Sequence, residues 1–188
     1  ETYQKIMNEA IEELKENEFK ELYESESDID TKEYVKELQI DTDFELLFPD
    51  EYINNISERL NLYNELGNLK TEEELQAFET KLIDRFGPLP KEAKALLNSI
   101  RIKWIATHMG IEKIVMKQGK LIGYFVSDQQ SDYYNSRQFS KVLRFVQLHG
   151  NLCKMKEKET KNGLRLLLTF DNVKSISRAL EFMELMAQ

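Results

Sequence analysis

The sequence is poor in residues that bind metals or react with substrates. Its 188 residues include one cysteine, Cys153, and two histidines, His108 and His149. A single cysteine excludes an intrachain disulfide and a cysteine-rich metal site, and we expect Cys153 to be a buried, unreactive thiol. Neither histidine has an acid or thiol near it in sequence that would suggest catalysis, so we expect both to cap helix C-termini.

Motifs that bind nucleotides or cross membranes are also missing. Neither of the glycine-rich phosphate-binding patterns, GxxxxGK[ST] and GxGxxG, occurs. There is no run of about 18 apolar residues, and the opening ETYQKIMNEA has neither the basic start nor the apolar core of a signal peptide. We therefore predict a soluble, cytoplasmic chain without a catalytic, metal or cofactor site of its own.

Charge is abundant and unevenly distributed. The net charge of −8 divides into −8 for residues 1–40, −7 for residues 41–100 and +7 for residues 101–188. The acidic and basic parts could attract each other or different partners. An acidic chain is a poor general binder of nucleic acid. The basic stretch KMKEKETK, residues 154–161, is typical of an edge strand whose lysines prevent aggregation. Contact with nucleic acid through Lys154, Lys156 and Lys158 is the alternative.

The first 34 residues differ in composition from the rest. Residues 1–17 have the spacing of an amphipathic helix with an acidic opposite face. Residues 18–34 are acidic with few apolar side chains, which predicts a flexible linker. We therefore expect the main domain to span residues 35–188. The apolar stripe of the first helix comprises Tyr3, Ile6, Met7, Ala10, Ile11 and Leu14.

The pattern in residues 35–110 predicts a strand followed by a helical subdomain. Apolar and polar residues alternate from Leu38 to Glu45, as in a half-buried strand. A helix is expected over residues 50–66, with a break at Asn54 and Asn55 as the alternative. A second helix is expected after the capping box of Thr71 and Glu74, and a third from Pro90 to Met109. The residues of the first helix expected to face inward are Tyr52, Ile53, Ile56, Leu60 and Tyr63.

In residues 111–188 the apolar residues recur at a shorter spacing than in the helical subdomain. Two hairpins, each followed by an amphipathic helix, give a ββαββα order. We predict an antiparallel sheet with its helices packed on one face. The whole main domain is therefore expected to be of the α+β class.

One charged residue lies at an unfavourable place. In KLIDRFGPLP, residues 81–90, Asp84 falls in the last turn of the second helix, where the helix dipole disfavours a carboxylate by about 0.3 to 1 kcal/mol. At 100° per residue Asp84 points away from the apolar side that includes Leu82 and Phe86. The spacing favours a local ion pair with Lys81, three residues earlier. A basic residue of a partner is the alternative.

Four stretches, LFPDEYI, RLNLYNELG, KLIDRFGPLP and KWIATHMGIEKI, together resemble a known family. In that order they resemble the C-terminal domain of bacterial transcription-repair coupling factors. The opening ETYQKIMNEAIEELK resembles the segment with which the chain leaves the translocase motor of that family. The resemblance is most specific at Asp84, Arg85, Phe86, Gly87 and Pro90.

The resemblance implies a function that the residues alone do not. Members of this family are ATP-driven DNA translocases that displace RNA polymerase stalled at damaged DNA and recruit nucleotide excision repair. The motor, with its ATP and Mg²⁺, would lie upstream, and this piece would hold no cofactor. The C-terminal domain would cover the N-terminal domain that binds the excision-repair damage sensor, and so keep the resting protein inhibited.

The resemblance also implies roles for residues at the corner. Asp84, with Lys81 and Arg85, would contact the N-terminal domain, while Phe86, Gly87 and Pro90 would be structural. The family commonly has Glu at the position of Lys81, so here the contact would contain one acid beside a cation. The other function left open by the sequence is a module that binds nucleic acid or RNA polymerase through the basic C-terminal half.

Overall fold

A computed structural model describes residues 32–188 of the chain. The predicted helix over residues 1–17 and the linker up to residue 31 lie outside the described residues. A compact unit runs from Tyr34 to Gln188. No helix in residues 32–188 is long and apolar enough to cross a membrane.

The unit combines a five-stranded sheet with five α-helices, which confirms the α+β class. A short 3₁₀ helix, Asp132–Asn135, precedes the fourth α-helix. The ββαββα order predicted for residues 111–188 is also present. The strands are β1 Gln39–Thr42, β2 Ile111–Lys117, β3 Lys120–Phe125, β4 Cys153–Thr160 and β5 Gly163–Asp171. The helices are α1 Ile56–Asn68, α2 Glu72–Phe86, α3 Lys91–His108, α4 Arg137–Leu148 and α5 Ile176–Ala187.

The sheet has the order β1-β2-β3-β5-β4. The four strands of the ββαββα region pair antiparallel, as predicted, whereas β1 adds to the edge parallel to β2. The Thr42 hydroxyl donates to the Met116 carbonyl (2.9 Å), and the Asp43 carboxylate accepts from the Gln118 backbone N–H (3.1 Å). The sequence pattern groups β1 with the helical subdomain, but its hydrogen bonds place it in the sheet.

One face of the sheet and three helices enclose the larger of two hydrophobic cores. Alternate residues of the strands point into it, and α3, α4 and α5 cover them. The prediction that the helices pack on one face of the sheet is therefore confirmed. Its strand residues include Ile114, Met116, Leu121, Phe125, Cys153, Leu168 and Phe170, and its helical residues include Ile102, Ala106, Val142, Phe145, Ala179 and Met183.

The second core lies between α1, α2 and the first half of α3. Leu62 and Leu66 of α1 meet Leu75 and Leu82 of α2, all at most 3% exposed. Arg101 of α3 also holds the start of α2, because its Nε lies 3.0 Å from both Glu72 carboxylate oxygens and its Nη2 lies 2.8 Å from Oε1.

Helix α3 belongs to both cores. Ala93 and Leu97 pack in the helical core, and Ile102 and Ala106 pack in the sheet core. The 18 residues of α3 span about 27 Å, which is enough to cross the domain. The two subdomains are therefore joined by a rigid shared element as well as by loops.

The first helix is not continuous over residues 50–66, and the break considered at Asn54 and Asn55 is present. The helix begins at Ile56, with the Asn55 side chain accepting from the Glu58 N–H (3.1 Å) as its N-cap. Ile56 and Leu60 are 66% and 59% exposed, so the prediction that they face inward is wrong. The cause is a turn at Pro49, whose carbonyl accepts the N–H groups of both residues 52 and 53. A helix that starts after this turn buries residues 62 and 66 instead.

The junction between α3 and β2 gives a test of the packing. Gly110 has a φ of +84°, and a Cβ added there would lie 2.1 Å from the ring of Tyr133, whose hydroxyl donates to the Met109 carbonyl. Gly119 has a φ of +73° with nothing within 4 Å of an added Cβ. Gly119→Ala should cost about 1 to 2 kcal/mol of unfolding free energy from backbone strain alone.

Gly110→Ala should cost a further 1 to 3 kcal/mol or so, because the buried ring must shift as well. Urea unfolding of both variants measures the difference. Equal losses for the two variants would show that the packing of Tyr133 against Gly110 is not as close as described.

Candidate functional site

The corner between α2 and α3, residues 81–90, contains the residues that the sequence analysis selected. Helix α2 ends at Phe86, and the N–H of Gly87 donates to the Ile83 carbonyl (2.9 Å). Gly87 has φ +88° and ψ −171°, a conformation that is essentially restricted to glycine. Leu89 is buried, and Pro90 is the N-cap residue of α3. The chain therefore turns sharply at Gly87, and a residue with a Cβ would be strained in this backbone conformation.

Tyr52 holds this corner from the loop before α1. Its hydroxyl donates to the carbonyls of Gly87 (2.7 Å) and Leu82 (3.2 Å), and its ring lies edge-on to Phe86, with centroids 5.7 Å apart. Burial raises the pKa of the Tyr52 hydroxyl, which therefore stays a donor. The Arg85 guanidinium also lies against Phe86, 4.9 Å from its ring centroid. Sequence reasoning missed Tyr52 because its partners lie 30 and 35 residues further along the chain.

The two cations of the corner are paired with helix α1. Lys81 forms an ion pair with Glu65, and Arg85 forms one with Glu58. The local pair between Lys81 and Asp84 that the spacing favours is not formed, so that expectation is wrong. The reason is tertiary: α1 lies beside α2 with two carboxylates on the facing side, and these meet the cations four residues apart on α2.

Asp84 is left without a cation. Its side chain is exposed on the last turn of α2, as the helical spacing predicts. None of the ion pairs between residues 32–188 includes it. Its two cationic neighbours, Lys81 and Arg85, are already neutralised. Asp84 therefore presents a negative charge to solvent at the negative end of the helix dipole, where nothing in the described chain compensates it.

An open cleft adjoins the corner. It has a volume of about 590 Å³ and is lined by Pro88 and Pro90 of the corner and by Tyr52, which holds the corner. All three prolines of the sequence line it, together with three carboxylates. Its surface is thus stiff and acidic, which suits contact with a basic segment of a protein. The lining residues are Leu47, Pro49, Asp50, Glu51, Tyr52, Pro88, Pro90 and Glu92.

The residues with intrinsic chemical reactivity lie apart from the corner. His149 is the C-cap of α4, as expected, whereas His108 is the last residue of α3 and the C-cap there is Met109. Cys153 is buried in the sheet core, and burial raises the pKa of its thiol. Across the part of the chain that the structure describes, no three His, Cys, Asp or Glu side chains form a group that could hold a metal.

Comparison with known proteins adds to this geometry. The sequence model of the family described as "TRCF domain" matches residues 42–136. This is just over half of the chain and includes the whole corner. The chain belongs to the TRCF domain family. Its fold is similar to a crystal structure of the C-terminal domain of transcription-repair coupling factor, with a TM-score of 0.62 over 80% of this chain and 89% of that one. The sequence identity there is 16%, so this likeness concerns the fold alone.

Two relatives with similar sequences are each named transcription-repair-coupling factor. A transcription-repair-coupling factor of Staphylococcus haemolyticus is 29% identical over 184 residues, which is 95% of this chain. One from Escherichia coli is 41% identical over 68 residues, or 36% of this chain. The chain spans only 12% to 14% of the length of the relatives that match most of it.

The hydroxyl of Tyr52 provides a test of the corner. Tyr52→Phe removes both hydrogen bonds to residues 82 and 87 and keeps the ring, and should cost about 1 kcal/mol of unfolding free energy. Tyr124→Phe, on the sheet, is the matched control, because no hydrogen bond of its hydroxyl is observed among the described residues. Urea unfolding measures both. A Tyr52→Phe variant as stable as the control would mean that the hydroxyl does not hold the corner.

Proposed function

We propose that this TRCF domain is the regulatory C-terminal domain of a bacterial, cytoplasmic transcription-repair coupling factor, and that Asp84 contacts the N-terminal domain of the same protein. This contact, here called the clamp, would keep the N-terminal domain from binding the excision-repair damage sensor in the resting state. Family membership supports the first part of the proposal, and the charge pattern of the corner supports the second.

The observation that carries the clamp is the uncompensated carboxylate of Asp84. A surface acid at the C-terminal end of a helix is unfavourable in the isolated domain, and selection for stability alone would not place it there. A basic residue of a partner would supply the missing cation. At a separation of 4 Å such a pair contributes between about 1 and 4 kcal/mol, depending on how far water is excluded.

The pairs with α1 explain how a clamp can operate beside two cations. Because Glu65 and Glu58 neutralise Lys81 and Arg85, these side chains do not repel a basic partner of Asp84. The replacement of the family's acid by Lys81 therefore reduces the number of acids at the contact without adding an uncompensated positive charge. Lys81 and Arg85 would orient α2 and line the contact, and Phe86, Gly87 and Pro90 would fix its shape.

A clamp of this kind need not be strong. Two domains of one polypeptide meet at an effective concentration of about 1 mM when the linker is short and flexible. A few weak contacts are then sufficient, and they can be released when another part of the protein moves. This is the property required of an inhibitory contact that yields when the motor engages its substrate.

The rest of the function would belong to the longer protein. The parent would be an ATP-hydrolysing DNA translocase, with ATP and Mg²⁺ bound to a motor upstream of this chain. RNA polymerase and DNA would be partners of that protein, which would displace stalled polymerase and recruit nucleotide excision repair. This chain would take part as a protein-binding regulatory domain and not as an enzyme.

Binding of the chain in trans to the N-terminal sensor-binding domain of the same coupling factor tests the clamp. Asp84→Lys should weaken the affinity by about tenfold or more, because it replaces an attractive pair with a repulsive one. Glu184→Lys, an equal charge change at an exposed site on α5, should leave the affinity within about twofold. Isothermal titration calorimetry gives the affinities, and circular dichroism checks the fold of each variant.

Two results would contradict the clamp. Equal loss of binding in both variants would indicate dependence on overall charge rather than on Asp84. Full binding by Asp84→Lys would place the interdomain contact on another face.

A further inference from the structure

The sheet has a second face, opposite the helices, that neither core uses. Here this outer face means the sheet side that carries Lys113, Val115 and Lys117 of β2 and the residues in register with them on the other strands. Its members on β3, β4 and β5 are Lys120, Ile122, Tyr124, Lys154, Lys156, Lys158, Arg165, Leu167, Thr169 and Asp171, and those on β1 are Gln39 and Asp41.

An apolar strip runs across the middle of the outer face. Val115 pairs with Ile122, and Tyr124 pairs with Leu167, in adjacent rows of the sheet. None of these four side chains belongs to either hydrophobic core. Leu167 is nevertheless only 7% exposed, which fits shielding by the long side chains around it. The strip is thus a small hydrophobic surface that no described helix covers.

Lysines surround this strip. The KMKEKETK stretch forms β4, and its strand alternation separates the charges: Lys154, Lys156 and Lys158 lie on the outer face, and Glu157 and Glu159 lie on the opposite one. The outer face has seven cations and two carboxylates in register, Asp41 and Asp171, and the Glu112 carboxylate reaches Arg165 from the irregularity in β2. Lys117 and Arg165 are paired with Asp41 and Glu112, respectively. The other five lysines take part in none of the ion pairs observed between residues 32–188.

We propose that the outer face binds an amphipathic α-helix of a partner protein, with apolar residues on its contact side and acidic residues along its flanks. The dimensions agree. Three neighbouring strands, β2, β3 and β5, are about 10 Å wide, close to the diameter of a helix with its side chains. The three lysines of β4 repeat every 6.6 to 6.8 Å or so, and carboxylates four residues apart on a helix repeat about every 6 Å.

Charge and burial together select this partner. Protection of an edge strand would explain the lysines of β4 but would not require Lys113 or Lys120 on inner strands, or an apolar strip. Single-stranded nucleic acid would require aromatic rings open for base stacking. The one aromatic ring of the outer face, Tyr124, already has the Lys113 Nζ 5.6 Å and the Arg165 Cζ 5.4 Å from its centroid. A helix with an apolar side and acidic flanks fits both features.

A synthetic helix tests the proposal on the full 188-residue chain. The probe is a fluorescein-labelled peptide of about 18 residues with Leu at positions i, i+3, i+4 and i+7 of each repeat and Glu and Ala elsewhere. A second peptide has the same composition with the leucines scattered, and a labelled oligo(dT) of about 20 nucleotides represents nucleic acid. Fluorescence anisotropy measures the affinity for each probe.

Two sets of variants separate charge from apolar contact. The triple variant Lys154→Glu, Lys156→Glu and Lys158→Glu should weaken binding of the amphipathic peptide about tenfold or more. The control triple variant Lys91→Glu, Lys94→Glu and Lys103→Glu, at exposed positions on α3, has the same net charge and should stay within about twofold.

The apolar strip is tested by Val115→Thr combined with Ile122→Thr, which keeps branched side chains in the strands. This variant should also weaken binding of the amphipathic peptide, and circular dichroism with urea unfolding confirms that each variant folds.

Three results would overturn the proposal. One is no measurable binding of the amphipathic peptide at about 1 mM. Another is equal binding of the scattered peptide, which would show attraction by charge alone. The third is oligo(dT) binding that is tighter than peptide binding and lost in the β4 triple variant, which would assign the outer face to nucleic acid. The proposed clamp at Asp84 would be unaffected by each of these results.

Discussion

Packing of helix α3 into two cores is the constraint on which the rest of the domain depends. Its first half closes the helical core, its second half closes the sheet core, and Arg101 between them binds the start of α2 through Glu72. A straight helix cannot bend between its two sets of contacts without losing hydrogen bonds. The corner that precedes α3 is therefore held in a fixed position relative to the sheet. Both candidate binding surfaces belong to one rigid unit.

The distribution of ion pairs explains which charges remain for partners. Where α1 and α2 meet, cations and carboxylates neutralise each other, and Asp84 is excluded from these pairs. On the sheet, Lys117 and Arg165 are neutralised in the same way, while the lysines of β4 have no ion pair within residues 32–188. The net charge of −8 therefore conceals two surfaces of opposite sign. One is suited to a basic partner and the other to an acidic partner, and they need not be occupied at the same time.

Local signals were sufficient to predict much of the domain. Thr71 with Glu74, Gly87 and Pro90 fixed the ends of α2 and α3 because caps depend on residues within one turn. The outward direction of Asp84 followed from helical spacing alone. The start of α1 coincides with the break considered at Asn54 and Asn55, and it too has a local signal, because Asn55 with Glu58 three residues later is a capping pattern.

Features that depend on distant residues were not predictable in this way. Three contacts join segments far apart in sequence. They are the parallel pairing of β1 with β2, the hydrogen bonds of Tyr52 to the corner, and the ion pair that Lys81 forms with Glu65 instead of Asp84. The energies of these contacts depend on tertiary packing, and no local sequence pattern reports which distant segments pack together. The separation of lysines and glutamates on β4 is an intermediate case. The alternation was visible in the sequence and indicated an edge strand, which the strand order confirms, but the apolar residues that lie beside these lysines on the neighbouring strands were not predictable.

Hydrogen exchange at the corner would test the clamp most directly. The amides of residues 83–87 and of Leu89 should exchange more slowly in the resting full-length coupling factor than in the 188-residue chain. Amides of the α4 region, away from the corner, should exchange at equal rates in both proteins. Slower exchange confined to the corner, and reversed by Asp84→Lys in the full-length protein, is the result expected for an interdomain contact at Asp84. Equal exchange of these corner amides in the two proteins would contradict it.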